Sequence, residues 1–238
     1  MKIFDCHCHI ENGFQQYNIE VAGRNIIFNT IESYQQHKNE LSEADALTLV
    51  FDYRNNFELV KKSADEKKIA ALKIHSRIQK IQEEDYPVLI ERLENLNPVL
   101  PIIIDAFYYG DDLEFQPNLK YIIEIAKKFP SCPIVVAHCG GYEVLKYFYH
   151  LKSLENIYFD LSFSPAYLKN TSVYADFKNL IKFGNENRLM FGTDFPFINA
   201  KEQLNSVLQI LEECRIKEGT SNRILFSNAA ELFQASRK

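Results

Sequence analysis

Two imidazoles separated by a single residue, in Asp5-Cys6-His7-Cys8-His9, are the strongest chemical signal in the sequence. Read as a β-strand, the run sends Asp5, His7 and His9 to one face and Phe4, Cys6 and Cys8 to the other. Neutral imidazoles placed this way can grip one cation from the same side. The plainer readings are a pair of polar core histidines or a short surface strand. Two adjacent buried imidazoles without a cation would be costly to satisfy, which favours a metal. Cys6 and Cys8 are expected to face a helical layer as small hydrophobes rather than to ligate.

Four further places carry groups of the right kind. Asp194, in Phe191-Gly192-Thr193-Asp194-Phe195-Pro196, could ligate a metal and accept a proton from its water, or cap the next helix. His138 is followed closely by Gly140 and Gly141, which leave space around an imidazole. It could bind a metal or move a proton, or be a capping or core histidine. Lys73 and His75 share parity in Lys73-Ile74-His75 and suit substrate binding. Lys73 could anchor a charged substrate, bridge metals if carbamylated, or simply pair with an acid. Asp105 ends the apolar run Pro101-Ile102-Ile103-Ile104 and needs a partner or a cation, with a salt bridge to Lys73 as the alternative to ligation. Asp52 and Asp160 sit at comparable run ends and are expected to orient histidines or cap loops. Tyr108, Tyr109, Phe163 and Tyr167 could wall a pocket, although aromatics so placed are more often packing.

All these residues lie at or near the ends of short apolar runs. There are eight: Lys2–Cys8, Asn25–Asn29, Ala46–Asp52, Ile69–His75, Leu100–Phe107, Pro133–Cys139, Ile157–Leu161 and Arg188–Asp194. Their starts recur at intervals of about 27 residues, which suits a strand, a helix and two loops. Most are apolar on both parities, as in parallel strands covered by helices. The segments between read as amphipathic helices, among them Phe57–Lys68, Leu119–Phe129, Tyr142–Leu151 and Gln203–Cys214, with Ala229–Phe233 as a closing helix. In Leu119–Phe129 the stripe is Leu119, Ile122, Ile123, Ala126 and Phe129. Strict alternation over eight units predicts an α/β fold, a compact (β/α)₈ TIM barrel with short loops or a short or missing peripheral helix. No linker or composition break divides the chain, so residues 1–238 are expected to form one domain.

The chain carries 27 Lys+Arg against 32 Asp+Glu, a net charge of −5, with 46% apolar residues. That balance excludes a disordered chain and speaks against a nucleic-acid partner. No stretch of about 18 apolar residues occurs, so no membrane span is expected. The first residues do not read as a secretory signal, and five cysteines suit reduced thiols, so a cytoplasmic location is expected. The expected partner is a small-molecule substrate, with a homodimer left open.

These pieces in this order resemble the amidohydrolase superfamily, in particular its amidohydrolase-related branch of metal-dependent barrel hydrolases and decarboxylases, which includes aminocarboxymuconate-semialdehyde decarboxylase. The resemblance rests on Phe4-Asp5-Cys6-His7-Cys8-His9, Ala71-Leu72-Lys73-Ile74-His75, Val135-Val136-Ala137-His138-Cys139-Gly140-Gly141, Arg188 to Pro196, and the tail Ile224 to Phe233. It implies a divalent ion, Zn²⁺ or alternatively Mn²⁺, held by His7, His9 and Asp194. His138 would assist catalysis or hold a second ion. One departure stands out: Asp105 occupies the place of the family's strand-5 histidine ligand, so it either ligates in that role or leaves the site weaker. TatD-type nucleases also open on an Asp-x-His-x-His strand, but carry a glutamate where this sequence has Lys73. The implied function is hydrolysis of a small ester, lactone or amide by a metal-activated water, with Asp194 taking the proton. Non-oxidative decarboxylation of a small aromatic or unsaturated acid at the same site is the alternative. A barrel that has lost catalysis and binds a ligand or partner is a further one.

Overall fold

Apolar runs buried on both faces have few places to go except a parallel sheet sandwiched between side chains, and here eight of them line up in chain order. In the computed structural model, which describes residues 1–9, 14–96, 100–111, 115 and 119–234, the strands are β1 (Phe4–Cys8), β2 (Gly23–Phe28), β3 (Ala46–Val50), β4 (Ala71–Ile74), β5 (Ile102–Ile104), β6 (Ile134–Val136), β7 (Ile157–Asp160) and β8 (Leu189–Met190). Every neighbouring pair is parallel, with registers such as Ile103↔Val135 and Val135↔Tyr158. The ring closes between last and first strands. The Cys6 N–H donates to Phe191 O at 2.9 Å, that of His9 donates to Phe195 O at 2.7 Å, and Cys8 bridges Phe195. The (β/α)₈ TIM barrel expected from the periodicity is the fold of the chain.

Helices α1 (Ile31–His37), α2 (Phe57–Asp65), α3 (Tyr86–Leu96), α4 (Leu119–Lys128) and α5 (Val144–Leu151) follow β2 to β6 in turn. The short α6 (Ser164–Tyr167) and then α7 (Tyr174–Phe183) follow β7, and α8 (Ala200–Glu213), α9 (Glu218–Asn222) and α10 (Asn228–Gln234) follow β8. Between β1 and β2 no helix occurs among the described residues. In α4 the buried face is Tyr121, Ile122, Ile125 and Ala126, rotated from the expected stripe. Tyr121 turns it by stacking on Tyr86, ring centroids 4.6 Å apart. No helix among the described residues is long and apolar enough to cross a membrane.

Strand parity divides the core in two. Ile26, Leu72, Ile102, Ile104, Ile134 and Phe191 pack outward against Val60, Leu89, Ile122 and Leu180 of the helices. Phe4, Cys6, Ile27, Ala71, Ile103, Val135 and Met190 form a separate apolar cluster with Ala229 and Phe233 of α10. These strand residues have the opposite parity, so the second cluster fills the barrel interior and α10 plugs its lower end, with Phe233 stacked on Phe4 at 6.4 Å. Above this apolar floor the inward positions turn polar: Lys73 and His75 after Ala71, Asp105 after Ile103, Asp194 after Met190.

The first strand departs from simple alternation. Phe4 pairs Gly23 and Asp5 pairs Arg24, but Cys8 pairs Ile26, so β1 holds one residue too many and bulges. The bulge places Cys6 in the interior cluster, not in the helical layer expected for it, while Cys8 does pack outward. It also removes Asp5 from the company of His7 and His9. Asp5 is fully buried and accepts bonds from Thr193 N–H, Thr193 Oγ1–H, Tyr17 O–H and His7 N–H, fastening β1 to the last strand and to the loop after β1.

Candidate metal centre

The upper ends of β1, β7 and the extension of β8 bring four of the candidate groups together. His7 Nδ1 lies 2.5 Å from Asp160 Oδ2, and His9 Nδ1 lies 2.9 Å from the carbonyl of Ile27. Both partners are acceptors, so each Nδ1 carries the proton and each Nε2 keeps its lone pair. Those two Nε2 atoms face the same carboxylate oxygen, Asp194 Oδ1, at 3.3 Å and 3.5 Å. Three acceptor atoms thus converge within 4.8 Å of one another with no proton of their own to share. Acceptors held this way repel unless a cation sits among them, and two imidazoles with one carboxylate are donors that suit a zinc-type ion. Burial and the neighbouring Lys73 push the His7 imidazole well below the usual range, keeping it neutral and ready to ligate. Burial works to raise Asp194, but the neighbouring His138, itself raised toward its charged form, outweighs it and the carboxyl is held down to about 2.

Local backbone explains how the sequence achieves this. Gly192 has no side chain because a Cβ there would lie 2.8 Å from Asp160 Oδ1 and 3.0 Å from the Cβ atoms of His7 and Ser162. Its absence lets β7 and β1 close until His7 meets Asp160. Asp194 itself sits at φ 61°, and His138, Cys139 and Phe163 also have positive φ. Non-glycine residues in this region cost conformational energy and cluster where a site needs side chains aimed off the regular strand direction.

His138 and Asp105, both expected as metal ligands, lie outside the converging set and face each other instead. His138 Nε2 is 3.4 Å from Asp105 Oδ2, and His75 Nε2 approaches the same oxygen at 3.5 Å. Burial opposes the charge on His138, but Asp194, Asp105 and Asp160 outweigh it, so its imidazole is raised above the ordinary 6.5. Burial also pushes His75 down to about 4. Asp105 is drawn well below the usual carboxylate range, with His75 and His138 overcoming the effect of burial. His138 Nδ1–H donates to Ser162 Oγ at 2.9 Å, and Ser162 O–H donates to Asp160 Oδ2 at 3.0 Å. Asp160 therefore accepts from both His7 and Ser162, and a buried chain of hydrogen bonds joins His138 to His7.

Lys73 reaches the same centre, with Nζ 3.0 Å from His7 Nε2 rather than on Asp105. Over these groups opens a cavity of about 480 Å³, walled by Phe107, Tyr109, Phe163, Tyr167 and Phe197 and edged by Arg77 and Asn29. Tyr108 lines a neighbouring depression. Asp52 belongs to a loop, accepting from Arg54 N–H and from Asn55. Sequence reading missed Ser162, Arg77, Asn29 and Phe197. Ser162 had a signal, since Asp160 and Ser162 share parity at the end of the seventh run. Arg77 and Phe197 lie on loops whose path no periodicity records.

The family model of the amidohydrolases matches residues 57–235. The chain belongs to the amidohydrolase family. The match begins after β3, at the start of α2, so His7 and His9 enter through the structure, where β1 meets the matched β7 and β8. Across the whole of both chains the fold is similar to that of an uncharacterized TIM-barrel protein from Bordetella bronchiseptica, at 14% identity and a TM-score of 0.74. No curated protein matches the chain in sequence. Asp160 holds the His7 imidazole in place through the bond from its Nδ1–H. Asp160→Asn is expected to weaken Zn²⁺ binding by about 10- to 100-fold, measured by calorimetry on the chelator-stripped protein, since such supporting carboxylates carry effects of that size. An unchanged affinity would refute the role assigned to Asp160.

Proposed function

We propose that the protein is a metal-dependent hydrolase acting on a small ester, lactone or amide. The observation that carries this is the facing of His7 Nε2, His9 Nε2 and Asp194 Oδ1, three acceptors without a shared proton, beneath an aromatic-walled cavity. His7, His9 and Asp194 would hold a divalent ion. When bound, that ion supplies a Lewis acid that polarises a carbonyl and acidifies water. The rest falls to the chain. Asp194, ionised at neutral pH, accepts a proton at its carboxylate. His138, held by Asp105 and Ser162 and raised toward its charged form, presents a proton to the developing oxyanion or the leaving group. The aromatic walls exclude water and favour a flat substrate of modest size. A small-molecule substrate is accordingly the proposed partner.

The cationic Arg77 at the cavity also suits a substrate carboxylate, which supports decarboxylation of a small unsaturated acid as a second reading. Elemental analysis of the purified protein, followed by turnover of lactones, esters and amides alongside carbon dioxide release from hydroxybenzoates and muconates, decides between them. Metal at one equivalent with hydrolytic turnover supports the first reading. Carbon dioxide release alone selects the second. Protein that takes up no divalent ion at any concentration tested overturns both.

A further inference from the structure

Lys73 is placed oddly for a substrate anchor. It is 2% exposed, projects from β4 into the barrel, and among the described residues makes no ion pair with a carboxylate. Instead its Nζ donates to His7 Nε2 at 3.0 Å, the lone pair that a metal would need. Asp160 secures this arrangement by holding the proton on His7 Nδ1, so Nε2 can only accept. The ammonium and a divalent ion therefore compete for one atom, and at such separations like charges repel strongly in a buried site. Asp105 stands in the same cavity, outside the converging donors, with two imidazoles at its Oδ2 and Lys73 among the charges that stabilise its carboxylate.

We infer that Lys73 is an internal cation that guards the metal site, seated on His7 when the ion is absent and swung to Asp105 when the ion binds. This rests on the metal reading above. A flexible four-carbon stem carrying a compact charge is suited to such a move. It also gives Asp105 a purpose at a position where a ligating histidine was expected. The ion-free site is then already neutralised, and the donor set binds metal less tightly than two imidazoles and a carboxylate otherwise would.

The test is Zn²⁺ titration calorimetry, with chelator competition, on the stripped full-length protein and a double-mutant cycle. Lys73→Met is expected to tighten binding by about tenfold or more, because it removes a competing charge from the site. Asp105→Asn is expected to weaken binding in the Lys73 protein and to have no effect in the Lys73→Met background. Lys73→Gln carries the same expectation if Lys73→Met does not fold. Unchanged or weaker binding in both Lys73 variants overturns the guard. So does a loss from Asp105→Asn of equal size in both backgrounds, which would make Asp105 a ligand. Absence of binding in every protein, wild type included, overturns the metal reading itself.

Discussion

Asp194→Asn will lower kcat/KM by about a thousandfold or more, the range found when a positioned proton acceptor is removed. The substitution is chosen to spare the fold. Asp194 occupies φ 61°, a conformation that asparagine tolerates nearly as well as aspartate, and the amide oxygen can still face His7 Nε2 and His9 Nε2. What is lost is the charge. The carboxyl is held down to about 2, chiefly by His138, so it is ionised throughout the neutral range and neutralises any cation bound beside it. An amide does neither and cannot take a proton. Zn²⁺ affinity should fall together with activity. The measurements are kcat/KM on the best substrate from the panel and metal content of the same preparation. Full activity in a folded, metal-loaded Asp194→Asn protein would remove Asp194 from the mechanism.

Gly140→Ala will destabilise the protein by about 3 kcal/mol or more, combining overpacking with backbone strain. A Cβ at Gly140 would overlap Cδ2 of Tyr147 and lie 2.6 Å from its Cγ, and φ there is +84°. Tyr147 cannot retreat, being fully buried in α5 against the outer face of the barrel. Its ring base, not a mobile tip, is what the methyl meets. The strain falls on the turn that aims His138, so activity should fall with stability. Gly219→Ala is the control: among the described residues no atom beyond its chain neighbours and its own helix backbone lies within 4 Å of its Cβ position, and it sits in α9, so that change is expected to be neutral or to stabilise by up to about 1 kcal/mol. Urea unfolding of the two variants compares them directly. Equal stability of Gly140→Ala and wild type would show that the turn can relax.

Much of the barrel was legible because burial on both faces leaves a mark on composition. Ile102-Ile103-Ile104 and Ile134-Val135-Val136 are apolar at every position because one parity meets helices and the other fills the interior. The bulge in β1 left no such mark. Cys6 suits a helix layer or a barrel interior equally well, and a single extra residue reverses the facing of the later side chains on its strand. The offset stripe of α4 arose in the same way: Tyr121 gained its place by stacking on Tyr86, a contact far off in sequence.

By itself the sequence determined which residues could do chemistry and that alternating elements would carry them to one rim, since side-chain type and hydrophobic period are local properties. Only the tertiary structure decided the pairings. It set His7 and His9 against Asp194, turned Asp105 toward His75 and His138, and laid Lys73 on His7. Those choices depend on distances of a few tenths of an ångström between strands remote in the chain, set by a bulge, a missing side chain at Gly192 and a few left-handed residues. Periodicity averages over such features, whereas electrostatic and hydrogen-bond energies depend steeply on them.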